Sequence, residues 1–131
     1  RSFADRNYGK SNRKVNYELV PYAVFSQPEI ASVGKTEQQA SKAVGNDNIK
    51  VYRSIFRSLS KSIPKKGSKC ILKLIVDKNT NKILGCHMLG ENASEIIQMA
   101  AISLMLGAKK TDFDSTMALH PTISEEFVTM R

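Results

Sequence analysis

No apolar run in this chain approaches the ~20 residues that a membrane-spanning helix requires. The two cysteines, Cys70 and Cys86, are too few and too far apart for a secreted disulfide framework. No C-x-x-C occurs, and two cysteines with two histidines at these spacings do not compose a zinc site. Each cysteine lies in an apolar run, so both read as buried thiols of a reducing compartment. There is no G-x-S-x-G around a serine nucleophile and no G-x-G-x-x-G to hold a dinucleotide. The opening residues, RSFADRNYGK, carry neither an apolar signal core nor an initiating methionine, which reads as a cut inside a longer chain. One absence is local. Between Ile49 and Val76 there is no Asp or Glu, while eight cations fall there: Lys50, Arg53, Arg57, Lys61, Lys65, Lys66, Lys69 and Lys73. That block alone matches the net charge of +8, and it suits either a face that recruits anions, nucleic acid or an acidic small molecule, or a merely solubilising surface.

What is present fits one globular domain: 131 residues, 41% of them apolar, are enough for a real core. Residues 1–17 are polar and basic and read as an arm or linker; residues 18–131 read as the domain. Tyr22 to Phe25 form a short apolar run between Pro21 and Pro28, which predicts a strand with a proline-marked exit. Thr36 as a cap, Gln39 three residues on and Gly45 beyond predict a helix. In NIKVYRSIF, Ile49, Val51, Arg53 and Ile55 fall on one face of a strand, Tyr52 and Phe56 on the other. RSLSKSIPKKGSK is a basic loop. KCILKLIVD and KILGCHMLG, joined by DKNTN, predict a hairpin; both strands are apolar on both faces, as in a central sheet covered on each side. ENASEIIQMAAISLMLG is the strongest helix, with Asn92 as N-cap, Glu95 at N3 and Gly107 past its end. It is apolar nearly all round, so it is either a central core helix or one side of a subunit interface. KKTDFDSTMALH predicts a short helical turn. Strands cluster and helices follow, so the fold class is α+β, a mainly antiparallel sheet with helices packed on it.

The chemistry gathers in the last stretch, ALHPTISEEFVTMR. Thr122-Ile123-Ser124-Glu125 fits a capping box, with Thr122 capping a helix and Glu125 returning a bond from N3; His120 and Pro121 are then only lead-in. The same residues also fit acid/base work. An imidazole, pKa ~6.5, trades protons near neutral pH, and does so best when a carboxylate orients it and stabilises its charged form. Glu125 could fold back to His120 in that role, and a cis His120–Pro121 bond would turn the chain and project the ring outward. Spacing leaves both readings open. An acid/base pair with neither nucleophile nor cofactor is not a complete enzyme. His87, in an apolar strand with no metal partner at a suitable spacing, reads as structural.

VFSQPEIASVG, ILGCHMLG and GAKKTDFDSTMALHPTISEEFVTMR together resemble the C-terminal dimerisation domain of the flavin-dependent pyridine-nucleotide disulfide oxidoreductases, over nearly all the chain from about Tyr17 onward. The resemblance implies that the domain forms much of a two-fold homodimer interface, and that His120 reaches into the other subunit's active site as acid/base, where it could touch the partner's FAD. Glu125 would orient and charge-stabilise it. By the same resemblance Phe56, Leu59, Glu126 and Thr129 line the disulfide-substrate pocket, Leu59 standing where relatives often have Met. FAD and NADPH would belong to the missing part that precedes the arm, so this fragment alone is expected to bind neither and to be inactive. The EEFVTMR ending places the likeness nearest to members that act on oxidised glutathione; sister enzymes acting on trypanothione or dihydrolipoamide are the alternative, and a basic nucleic-acid-binding module is the outside one. The implied location is cytoplasmic or organellar. No metal and no membrane partner are expected.

Overall fold

Alternation and register decide the architecture of this computed structural model, which describes residues 1–9, 11, 12, 14–64 and 67–131. Lys65 and Lys66 of the basic block therefore lie outside the described residues. Five strands, β1 (Tyr22–Val24), β2 (Glu29–Gly34), β3 (Ile49–Phe56), β4 (Cys70–Asp77) and β5 (Ile83–Gly90), form one sheet in the order β1-β2-β5-β4-β3. Every pairing is antiparallel, as an α+β domain of this pattern requires. Six helices accompany it: α1 (Ser2–Asn7), α2 (Glu37–Val44), α3 (Leu59–Ser62), α4 (Ala93–Met105), α5 (Lys110–Ser115) and α6 (Glu126–Thr129).

The pairings Ala31↔Met88, Leu72↔Met88 and Leu74↔Cys86 put these side chains on one face. There they are buried against Ala93, Ile97, Ala101 and Leu104 of α4 and against Phe127 and Met130 near the chain end. Both cysteines are free and buried, and burial pushes both thiols above their ordinary range. On the opposite face Ile30, Leu89, Ile71 and Ile55 form one row and Ser32, His87, Lys73 and Arg53 the next. Among the described residues α2 lies over this face, tied down by Glu37, which accepts from Arg53 Nη2 at 2.7 Å and Lys73 Nζ at 2.8 Å. The expectation of a sheet covered on both sides is thus met in part: eight residues of α2 cannot span five strands, and Ile30, Ile55 and Ile71 keep substantial exposure.

Local signals explain most elements. The capping box of α2 is complete, with Gln39 N–H donating to Thr36 Oγ1 at 3.2 Å and Thr36 N–H to Gln39 Oε1 at 2.9 Å. Three details depart from the sequence reading. The segment after Pro28 is a second strand, β2, which returns antiparallel to β1 through a turn with a cis Gln27–Pro28 bond; Pro28, the exit mark of the predicted strand, sits in a turn between two. The basic loop holds one helical turn, α3, and the arm holds α1, which buries nothing. Asn92 precedes α4 but does not cap it with its side chain: it sits in the left-handed region at φ 61°, and Glu29 of β2 takes that role, accepting from Ser94 N–H at 3.1 Å and Ser94 Oγ at 2.8 Å. Those two bonds hold the Glu29 carboxyl below its usual range.

His87 is a fixed part of the sheet. Its Nε2–H donates to the Lys35 carbonyl at 3.0 Å, so its Nδ1 accepts from Ser32 Oγ at 2.8 Å. Gly85 permits this approach, since a Cβ there would stand 2.0 Å from the same carbonyl oxygen. Burial, aided by the nearby Lys73 charge, lowers the His87 pKa against the opposing pull of the Lys35 bond and Glu37. The folded value therefore lies below the unfolded ~6.5, and the unfolded chain takes up the proton first as pH falls. Stability from this group is complete above about pH 6.5 and is lost as pH drops through that value toward the folded pKa. The urea midpoint is expected to fall between pH 7.5 and pH 5.5, and His87→Gln to shrink that fall; an undiminished fall in the variant would refute the assignment.

Candidate active site

A four-residue helix cannot hold itself in water, so α6 depends on its surroundings. Phe127 and Met130 enter the core. Lys110, only 1% exposed, donates from Nζ to the Met130 carbonyl at 2.9 Å and to Asp114, and its ammonium stands 4.7 Å from the Tyr52 ring centroid. Arg131 Nη1 reaches the same Asp114 at 2.7 Å. From β3, Ser54 Oγ donates to Glu126 Oε2 at 2.6 Å.

With α6 fixed, the two readings of Glu125 resolve into a division of labour. Its backbone N–H donates to Thr122 Oγ1 at 3.2 Å, one bond of the expected capping box, but the helix begins only at Glu126, with Glu125 and not Thr122 at its N-cap. Its carboxylate does not return to Thr122; both oxygens stand 3.1 Å from His120 Nδ1. The His120–Pro121 bond is cis. The His120 side chain is 80% exposed while its carboxylate partner is only 16% exposed. The ring is thus presented to solvent on a buried anchor. With Nδ1–H engaged by the carboxylate, Nε2 carries the free lone pair of the neutral imidazole and has no protein partner among the described residues. Such a pair can accept a proton at Nε2 and return it, with Glu125 stabilising the imidazolium between.

His120 and Glu125 line a groove of about 470 Å³ together with Phe56, Leu59 and Glu126. Five of the six expected site residues thus come from the chain end and from the end of β3 and the turn after it, brought together by the packing of α6. Thr129 lies exposed on α6 and does not line this groove. Ser54, Arg57 and Lys110 were not singled out from the sequence as site residues. The β3 alternation contained the signal for Ser54, which shares a face with Tyr52 and Phe56. Nothing in the Lys109-Lys110 pair distinguishes the exposed lysine from the buried one. The basic block is also less free than its sequence: Arg53 and Lys73 share Glu37, and Lys61 pairs with Glu91 at 3.5 Å.

Residues 20–131 match the family described as the pyridine nucleotide-disulphide oxidoreductase dimerisation domain. The chain is 47% identical over 131 residues to a glutathione reductase of Nostoc sp., covering all of this chain and 28% of that protein. It is 46% identical over 118 residues to the chloroplastic/mitochondrial glutathione reductase of Pisum sativum, covering 90% of this chain and 21% of that one. A solved structure, the HOCl-induced flavoprotein disulfide reductase RclA from Escherichia coli, matches with a TM-score of 0.79 at 26% identity, over 95% of this chain and 28% of that chain. The chain therefore spans less than a third of the length of the relatives it matches.

Lys110→Ala would leave the Met130 carbonyl without its buried donor, a loss of about 2 kcal/mol. Chemical denaturation should show that loss, and hydrogen exchange should show α6 amides opening ahead of the sheet. An unchanged midpoint with unchanged exchange would remove Lys110 from the account.

Proposed function

The chain belongs to the pyridine nucleotide-disulphide oxidoreductase family, as its dimerisation domain, and from that premise we propose that the protein it is part of is a glutathione reductase, reducing oxidised glutathione with NADPH and FAD. Each subunit of a homodimer lends its His120–Glu125 pair to the active site of the other. The observation that carries this reading is the two 3.1 Å contacts between His120 Nδ1 and the Glu125 carboxylate, on a ring that otherwise faces outward. The identities of 47% and 46% to glutathione reductases support the choice of substrate.

In the proposed reaction a thiolate from the rest of the enzyme displaces one sulfur of the disulfide, and the departing sulfur carries off the negative charge. His120, as imidazolium, gives that sulfur its Nε2 proton. Glu125 keeps the ring oriented throughout. Phe56 and Leu59 offer apolar contact, and Glu126, held by Ser54, offers a carboxylate to substrate ammonium groups. We keep Thr129 as a fourth substrate contact only through the assembled dimer, since it lies off the groove of a single chain. The fit of these residues to a flavin is limited to the exposed His120 ring, which could meet the partner's FAD; the chain has no glycine-rich dinucleotide loop. FAD and NADPH, when bound by the remainder of the protein, supply the electrons. The 131-residue chain by itself is expected to be inactive. The proposed location is the cytoplasm or an organelle; among the described residues no helix is long and apolar enough to cross a membrane.

The homodimer rests on a second observation. Met99, Ile102 and Met105 stand exposed along α4 and Leu106 just past it, and Met117 and Leu119, close before His120 in the chain, are exposed as well. Apolar side chains in such number at one surface are covered by a partner, and a two-fold axis covers both copies at once.

Two measurements test this reading. NADPH oxidation by the intact enzyme with oxidised glutathione should fall roughly 10²-fold in His120→Ala. It should fall roughly 10-fold in Glu125→Ala, because the ring loses the carboxylate that orients it. Turnover indifferent to both changes would end the acid/base assignment. In sedimentation, Ile102→Glu with Met105→Glu is expected to yield monomer, and a dimer as tight as the parent's would move the interface elsewhere.

A further inference from the structure

The groove beside His120 holds more charge than the acid/base pair uses. Glu125 faces His120, Glu91 pairs with Lys61 at 3.5 Å, and Glu126 accepts from Ser54 Oγ at 2.6 Å. Arg57 lines the same groove, and among the described residues its guanidinium has no hydrogen bond or ion pair. Its backbone is nevertheless well placed: it follows Phe56, the last residue of β3, and precedes Ser58, which is buried. The chain thus fixes where Arg57 starts while leaving its head group unengaged at the groove wall.

We propose that Arg57 is a specificity-determining residue that receives a carboxylate of the disulfide substrate. The proposal rests on the glutathione reductase reading above and adds to it the group that selects acidic peptide disulfides over neutral ones. A guanidinium presents paired N–H donors in a plane that matches a carboxylate, and the charge-assisted bonds it makes are stronger than neutral ones. Among the described residues that line the groove, the other basic side chain is His120, which Glu125 engages, so an incoming carboxylate finds its unspent positive charge at Arg57. The groove, about 470 Å³, is of a size to take part of a peptide disulfide.

The test uses the intact enzyme and two substrates, oxidised glutathione and the same disulfide with its carboxylates converted to methyl esters. Arg57→Gln is expected to lower kcat/KM for the acid roughly tenfold, mainly through KM, and to leave the wild-type-to-variant ratio for the ester near one. Arg57→Lys should recover part of the loss, as a point charge without the fork. The loss should persist at ~0.5 M salt, where steering by the wider basic block is screened. Equal losses on acid and ester, or no loss on either, would overturn the assignment of Arg57 while leaving the reductase reading intact. A wild-type enzyme that reduces oxidised glutathione not at all would overturn the reductase reading and this inference together. Arg57 is exposed and its side chain makes no hydrogen bond or ion pair among the described residues, so the variants report on substrate rather than on stability.

Discussion

A single buried ammonium carries the end of this chain. Lys110 is enclosed by the Tyr52 ring, the Asp114 carboxylate and the Met130 carbonyl, and each of those belongs to a different part of the fold. Burying a charge is costly unless its partners are in place, so the site tolerates one arrangement of β3, α5 and the chain terminus. That requirement makes a four-residue helix rigid enough to carry function. Phe127 and Met130 add apolar burial, and Ser54 pins Glu126 from the sheet. The His120–Glu125 geometry is downstream of all of these.

From this anchor the two faces of the molecule take different roles. The face with α4 and α6 is a packed core whose outer surface is again apolar, while the face under α2 is half open and organised by ion pairs around Glu37 and by the Ser32–His87–Lys35 chain. His87 and His120 mark the contrast. Both have their Nδ1 engaged by an oxygen, but His87 also spends Nε2 on a backbone carbonyl and is lowered in pKa by burial. His120 keeps Nε2 in solvent. The chain's two histidines thus divide into one with both nitrogens used within the fold and one with a nitrogen kept back.

Local grammar was readable in the sequence because local interactions produce it. The capping box at Thr36, the alternation through β3, the β4–β5 hairpin and the reach of α4 all depend on residues within a few positions of each other. The adjacency of His120 and Glu125 was likewise open to inspection, five residues apart. What the sequence hid comes from distance. The cap on α4 is supplied by a glutamate 65 positions away from Ser94, and Glu126 is held by a serine 72 positions away. Prolines that punctuate a strand look the same whether the chain leaves the sheet or turns back into it, so β2 was invisible. Lysines adjacent in sequence carry no mark of which one the core will enclose.

The strand order has one more consequence. With β1 at one border and β3 at the other, the sheet ends on a three-residue strand on one side and an eight-residue strand on the other. A long border strand offers its unpaired backbone to any copy that drifts alongside, which is how sheets stack into aggregates. β3 is the border that carries exposed Lys50, with Arg57 just past its end, while its Arg53 is paired with Glu37. Two such borders brought together would set cation against cation. Cations on an exposed border strand of this kind disfavour the addition of strands from other molecules.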